Sequence, residues 1–123
     1  MSEIDLSLNF TASVSRLNRA LVLEERLETA DGAGGLRSSW SALGTIWANI
    51  RSLSGRESGS LGIARSKVGM KITLRAAPQG STMRPRPDQR FREGTRTYRI
   101  TAVAEAEPAG RYLVCYASEE VAA

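Results

Sequence analysis

Acid–base catalysis needs paired carboxylates, and this chain offers three pairs, Glu24–Glu25, Glu105/Glu107 and Glu119–Glu120. All three fall in stretches that read as strand ends or tail, where a solvated polar face is the expected role. The sequence contains no histidine, so neither a Ser-His-Asp nor a Cys-His arrangement can be assembled. Zinc sites built from histidine or several cysteines are excluded on the same ground. The single cysteine, Cys115, cannot form an internal disulfide. Its place within an apolar strand pattern makes it a buried, inert thiol, as suits a reducing cytosol. The cluster Gly32/Gly34/Gly35 lacks a following Lys-Ser/Thr and opens no helical pattern, so it is not a phosphate cradle. No catalytic residue, cofactor or metal is expected, and the chain reads as a non-enzyme.

The elements that must carry the remaining residues are strands. At 123 residues the size suits one domain, in which folding hides roughly two-thirds of the extended chain's surface. Residues 4–14 alternate, with Ile4, Leu6, Leu8, Phe10, Ala12 and Val14 on one side. Residues 16–29 suit a helix by propensity, whereas Leu21, Leu23 and Glu25 alternate acceptably as a strand. In the next segment Ile46, Ala48 and Ile50 face one way and Thr45, Trp47, Asn49 and Arg51 the other. Val68, Met70, Ile72 and Leu74 face inward against Lys67, Lys71, Thr73 and Arg75, and Tyr98, Ile100 and Ala102 continue the inward series. Tyr112, Val114 and Tyr116 oppose Leu113 and Cys115 in a strand apolar on both faces. Glu107-Pro108-Ala109-Gly110 is the turn before it. The longest apolar run, Tyr112 to Ala117, falls far short of the ~20 residues that span a bilayer. With no basic-then-apolar leader, the protein is expected to act without export or membrane insertion.

Two connections are longer than a small sheet requires. The first, 54–66, contains Gly55, Gly59 and Gly62 among serines. The second, 78–93, carries Pro78, Pro85 and Pro87 amid Arg84, Arg86, Arg90 and Arg92, and its prolines favour an extended excursion over a central strand. Plain surface loops are the simplest reading of both.

The stretch from Gly34 to Glu57 is the most distinctive. A Gly-Gly turn after Asp31 leads to Trp40, then to a strand containing Trp47-Ala48-Asn49-Ile50, then to Ser54-Gly55-Arg56-Glu57. Over residues 16–118 this order resembles the head-closure, or stopper, proteins that join head to tail in tailed bacteriophages and gene transfer agents. The resemblance implies an all-β fold, a small antiparallel barrel or sandwich with two long loops; residues 1–15, alternating but outside the resemblance, read as an extended arm, and 119–123 as a tail. By the same resemblance, residue 16 onward begins the first strand. It further implies a homo-oligomeric ring in the particle's neck, docked on a portal-bound adaptor ring and presenting a surface to the tail-end ring. Loop 54–66 would close the DNA channel, with Ser54, Gly55, Arg56, Glu57 and Arg65 facing packaged DNA or neighbouring loops. Arg84, Arg86, Arg90 and Arg92, with Ile4, Leu6, Leu8 and Phe10 of the arm, are the candidates for contacts between subunits or rings. Assembly in a bacterial host's cytoplasm and residence in the particle follow from this.

Charge is uneven along the chain. Residues 51–99 hold twelve basic and three acidic residues, a net +9, and the remainder holds five basic and ten acidic, a net −5, giving +4 for the whole. Two explanations stay open: sequence-independent contact with a DNA backbone, or a basic part of one subunit meeting an acidic part of the next. A cytosolic barrel binding nucleic acid without sequence preference is the rival from another class. Base-specific readout is disfavoured, because no zinc-finger spacing, no helix-turn-helix and no aromatic-rich strand is present.

Overall fold

The computed structural model describes residues 17–53 and 68–120. They form β1 (Arg19–Ala30), β2 (Leu36–Ser52), β3 (Val68–Arg75), β4 (Arg90–Glu93), β5 (Arg96–Glu105) and β6 (Tyr112–Glu120), with no helix among them. Every pairing is antiparallel, and the order β1-β2-β3-β6-β5-β4 closes when β4 returns to β1. Closure removes the free edges that an open sheet would present. The ambiguous segment is therefore strand from Arg19 onward: Leu21 and Leu23 are buried while Ala20 is exposed, a period of two rather than 3.6.

The core follows the alternation. Leu21 and Leu23, Ala48, Met70, Ile72 and Leu74, Phe91, Tyr98 and Ile100, and Leu113, Cys115 and Ala117 all point inside, with Ile46 and Ile50 packed against them. Two bulges break the period. On β2, Leu43 is an extra residue, because Leu23 pairs with Gly44 and Glu24 with Ala42. On β5, Thr101 is extra between the Ile100–Ala117 and Ala102–Tyr116 pairs. That second bulge turns Ala102 out to solvent, against the sequence reading, and brings Val103 towards the core in its place. Val68 also departs from expectation. It has the inward parity of Met70 but lies at the rim of the sheet, 46% exposed.

The closed sheet has two unlike ends. At one end lie Arg19, the Gly94–Thr95 turn, and the ends of β2 and β6. Residues 54–67 leave and return there, where the Leu53 N–H donates to the Gly69 carbonyl at 2.9 Å. The opposite end carries the β1–β2 hairpin. Beyond Glu24, β1 has no second neighbour, and β2 meets β3 only from Ala48 onward. Residues 25–41 consequently form a two-stranded ribbon that extends past the closed sheet, with Trp40 near its base packed on Arg90 and Arg99. Its turn is fixed by Asp31, whose Oδ1 accepts from the N–H groups of Ala33 (2.7 Å) and Gly35 (3.0 Å), while Gly32 and Gly34 take φ of 82° and 85°. Those two bonds hold the Asp31 carboxyl below its ordinary range.

The proline-rich connection is shorter than its sequence suggests. The last proline is Pro87, and once N–H donors resume the chain enters β4 at Arg90, between β1 and β5. Residues 78–89 are built from turns, with Ser81 N donating to Pro78 O and Gln89 N to Arg86 O. The loop is laid against β5 by Asp88 N to Ile100 O and Ile100 N to Gln89 O. Met83 reaches back over Gly44, where a Cβ would stand 2.7 Å from its sulfur. Glu119 and Glu120, read as tail, extend β6 by pairing with Val68 and Thr97.

Candidate assembly surfaces

Glu24 is the carboxylate that sequence reasoning placed on a solvated face and the structure does not. Its outward position on β1 sets it beside Arg90 and Val22's partner Arg92 on β4. Arg90 Nε donates to Oε1 at 2.7 Å and Arg92 Nε to Oε2 at 3.0 Å, leaving the side chain 8% exposed. Burial opposes ionisation of Glu24, but the two guanidinium bonds outweigh it, and its pKa lies below the ordinary value. Trp40, from the ribbon, caps the group. The Arg90 guanidinium lies 4.2 Å from its ring centroid and that of Arg99 5.1 Å, a pair of cation–π contacts. Arg99 in turn faces Glu120 at 3.8 Å.

Further ion pairs ring the end where residues 54–67 attach. Arg19 on β1 binds Glu93 on β4 through both its Nε and Nη2, and Arg96 on β5 binds Glu119 on β6 at 2.7 and 3.0 Å. In each case the arginine bond lowers the carboxyl pKa. The Tyr98 hydroxyl lies buried beneath them with no hydrogen-bond partner. These arrangements are structural clamps. They hold neighbouring strands in register.

A different surface forms on the outside of β2, β3 and β6. The registers place Asn49, Thr73 and Val114 in one row and Arg51, Lys71 and Tyr116 in the next, with Arg75 opposite Tyr112 beyond the end of the β2–β3 ladder; Thr73 and Val114 are buried. Arg75 lies 5.5 Å over the Tyr112 ring, and Trp47 is 59% exposed. No carboxylate occurs in these rows. No strand among the described residues is aromatic-rich: Trp47 and Tyr112 are 65 positions apart in the chain and lie on β2 and β6, on either side of β3. The outward positions of each alternating strand, laid side by side, were the available signal.

The sequence-predicted residues are distributed as follows. Ser54, Gly55, Arg56, Glu57, Arg65, Ile4, Leu6, Leu8 and Phe10 lie outside the described residues. Arg90 and Arg92 are joined on Glu24. Arg84 and Arg86 sit apart from them, lining a shallow recess with Gln79, Gly80, Ser81 and Thr82. Arg84 Nη1 is held there by the Ala77 carbonyl at 2.8 Å, and the Arg86 N–H by Gln89 Oε1 at 2.9 Å. Cys115 is fully buried, and burial pushes its thiol up to about 12. Among the described residues no cluster of acidic and cysteine side chains could hold a metal ion, and no helix could cross a membrane.

A family model described as phage head completion protein matches residues 12–120. The chain belongs to that family. Among solved structures, it is similar to a chain from the virion of a native gene transfer agent particle. The two are 49% identical with a TM-score of 0.70, over 86% of this chain and 96% of the other. A Shigella flexneri 2a protein solved in solution shares the fold at 20% identity and a TM-score of 0.63, over 86% and 95% of the respective chains. A comparison with curated proteins gave no match. In this head completion protein, carboxylates among the described residues are engaged in clamps between neighbouring strands.

Proposed function

We propose that this chain is a structural component of a phage-like particle, of the gene transfer agent kind, acting as a ring subunit in the neck. It joins the portal-bound adaptor to the tail-end ring and closes the DNA channel after packaging. The observation that carries the reading is the 49% identity to a gene transfer agent virion chain across nearly the whole of both chains, within the head completion family.

The fold supplies a rationale. The connection 54–67 enters and leaves at a single end of a closed sheet whose rim is fastened by Arg19–Glu93 and Arg96–Glu119. A rigid barrel can thus present that connection without strain on its own ladder. Glycines at 55, 59 and 62 give it backbone freedom, and Arg56 and Arg65 can meet phosphate without reading sequence. Subunits related by a heterologous contact around an axis would bring their equivalent loops together at the centre.

Replacing 54–66 with a tight turn tests this. The expected result is a folded subunit that joins the neck in particles that lose their packaged DNA. A block in neck assembly would assign the segment to docking instead. Truncated particles that keep their DNA and deliver it at the normal rate would overturn the channel role.

A further inference from the structure

The ribbon of residues 25–41 has two open edges, and they are not alike. Among the described residues, β1 beyond Glu24 and β2 before Ala48 each pair only with the other. The β1 edge, residues 25–30, is guarded by Glu25, Arg26 and Glu28, and charge along an edge discourages further pairing. The β2 edge, residues 36–42, carries one charged residue, Arg37. It ends where Leu43 bulges and Met83 covers Gly44. A two-stranded ribbon is marginal by itself, and a third strand with an apolar face would stabilise it. Leu36, 70% exposed, marks the face left uncovered.

The two faces of the β2 edge differ. Leu36, Ser38, Trp40 and Ala42 lie on one, and Arg37, Ser39 and Ser41 on the other. A strand added here must alternate, with apolar residues beside the first set and polar or acidic residues beside the second. Residues 4–14, which lie outside the described residues, have such a sequence: Leu6, Leu8 and Phe10 alternate with Asp5, Ser7 and Asn9. Arg37 has no carboxylate partner among the described residues, and the acids of the first sixteen residues, Glu3 and Asp5, share the polar side. The β1 edge would instead set those acids beside Glu25 and Glu28.

Reach permits the contact. From Arg19, where the chain enters β1, to the level of Leu36 is a strand length of about 36 Å. The residues before Leu17 can extend over roughly 50 Å. Within one subunit, β3 holds β2 from Ala48 to Ser52 and stands between the start of β1 and the open edge. A copy alongside presents its edge without that obstacle.

We propose that residues 4–14 of one copy add as a strand to the β2 edge, residues 36–42, of the next. Leu6, Leu8 and Phe10 cover Leu36 and Trp40, and Asp5 approaches Arg37. Main-chain hydrogen bonds supply the affinity and the alternating side chains the specificity. Donor and acceptor are different parts of the chain, so the contact is heterologous, and repetition around an axis closes a ring. The inference rests on the ring reading above and assigns its subunit contact.

Particles carrying Leu8→p-benzoylphenylalanine, a photoreactive side chain, provide the test. Illumination followed by peptide mass spectrometry should join position 8 to residues 36–42 in bands of dimer mass and in higher oligomers. Links to 36–42 only at monomer mass would place the segment on its own subunit, and products that stop at the dimer would mean reciprocal exchange between two copies. Either result overturns the proposal, as would links only to other particle proteins or none to 36–42. Leu8→Pro, which removes a backbone donor, should leave the melting temperature of the free subunit unchanged yet cut incorporation into particles to less than about a tenth of normal. Normal incorporation, or a free subunit that melts lower, would refute the contact. The 54–66 truncation leaves both the donor segment and the edge intact, so its failure would remove the channel role alone.

Discussion

Removing the Glu24 carboxylate should be among the most damaging surface substitutions in this protein, although its neighbour Glu25 should be almost silent. Glu24 accepts from Arg90 and Arg92 with its two oxygens and is almost fully covered. Hydrogen bonds to charged groups contribute about 1.5–3 kcal/mol each. Arg92 is 40% exposed and rehydrates readily once released, so its bond deserves a strong discount. Arg90 is 19% exposed and stacked on Trp40, so its guanidinium would keep a poorly hydrated charge with no counter-ion. Together these give a cost of about 2–4 kcal/mol for Glu24→Ala, a large share of the roughly 5–15 kcal/mol that such a domain possesses. For a domain of this size that corresponds to a fall in Tm of about 8–16 °C.

Thermal unfolding of the free subunit, followed by circular dichroism near pH 7, measures it. Glu24→Gln, which keeps the shape and an acceptor but loses the charge, should fall between wild type and alanine. Glu25→Ala should shift stability by no more than about 0.5 kcal/mol. In a double-mutant cycle, Arg90→Ala should couple to Glu24→Ala more strongly than Arg92→Ala does. Equal melting temperatures for Glu24→Ala and Glu25→Ala would refute the reasoning, because the two differ in little except burial and partners.

Three other outcomes are expected. Tyr98→Phe removes a buried hydroxyl that has no partner while keeping the ring beneath Arg96, so it should raise stability by about 1 kcal/mol; a lower Tm would show that the hydroxyl is satisfied. Ile72→Asp places a carboxylate at a fully buried position and should cost several kcal/mol, enough to unfold a small domain, whereas Lys71→Asp on the outer face should leave the free subunit folded. Glu24, Glu93 and Glu119 all have folded pKa values below the ordinary 4.5, so the stability they contribute is complete above that value and is lost as pH falls through their lower folded values. A urea midpoint that stays constant from pH 6 down to pH 3 would contradict that sign.

Much of the fold could be read directly, because a strand's period of two is visible wherever one face is buried. Met70, Ile72 and Leu74 show it, as do Leu21 with Leu23 and Tyr98 with Ile100. The failures occur where a single residue shifts the period or ends the cover. Thr101 bulges and exposes Ala102, and Val68 keeps its parity but runs out of neighbours at the rim. The short strand β4 was masked by Pro78, Pro85 and Pro87, whose influence ends two residues before Gln89 gives way to Arg90. Glu24 was misjudged for a different reason. Its outward direction follows from Leu23, but its burial depends on arginines 66 and 68 positions away and on a tryptophan from a third strand. Local pattern carries facing, and only pairing carries cover.

The same distinction changes what the charge asymmetry means. Along the sequence, a segment of net +9 suggested DNA or an acidic neighbour. In the fold, Arg90 and Arg92 are matched by Glu24, Arg96 by Glu119 and Arg99 by Glu120, all carboxylates from outside that segment. The separation along the chain is thus partly a record of strand adjacency: apart from the Arg19–Glu93 pair, β4 and β5 bring cations, and the strands beside them, β1 and β6, bring the anions. Opposite charges across neighbouring strands stabilise those pairings and penalise others, since like charges set opposite each other are unfavourable. β4 has four residues and a short ladder, so its place between β1 and β5 depends on such pairs more than a long apolar strand would. The three carboxylates Glu24, Glu119 and Glu120 thus offset three of the segment's nine net positive charges. Along β3 the pattern differs: Lys71 faces Arg51 and Tyr116 across its two ladders and Arg75 faces Tyr112, so neither strand beside β3 sets an anion opposite these cations.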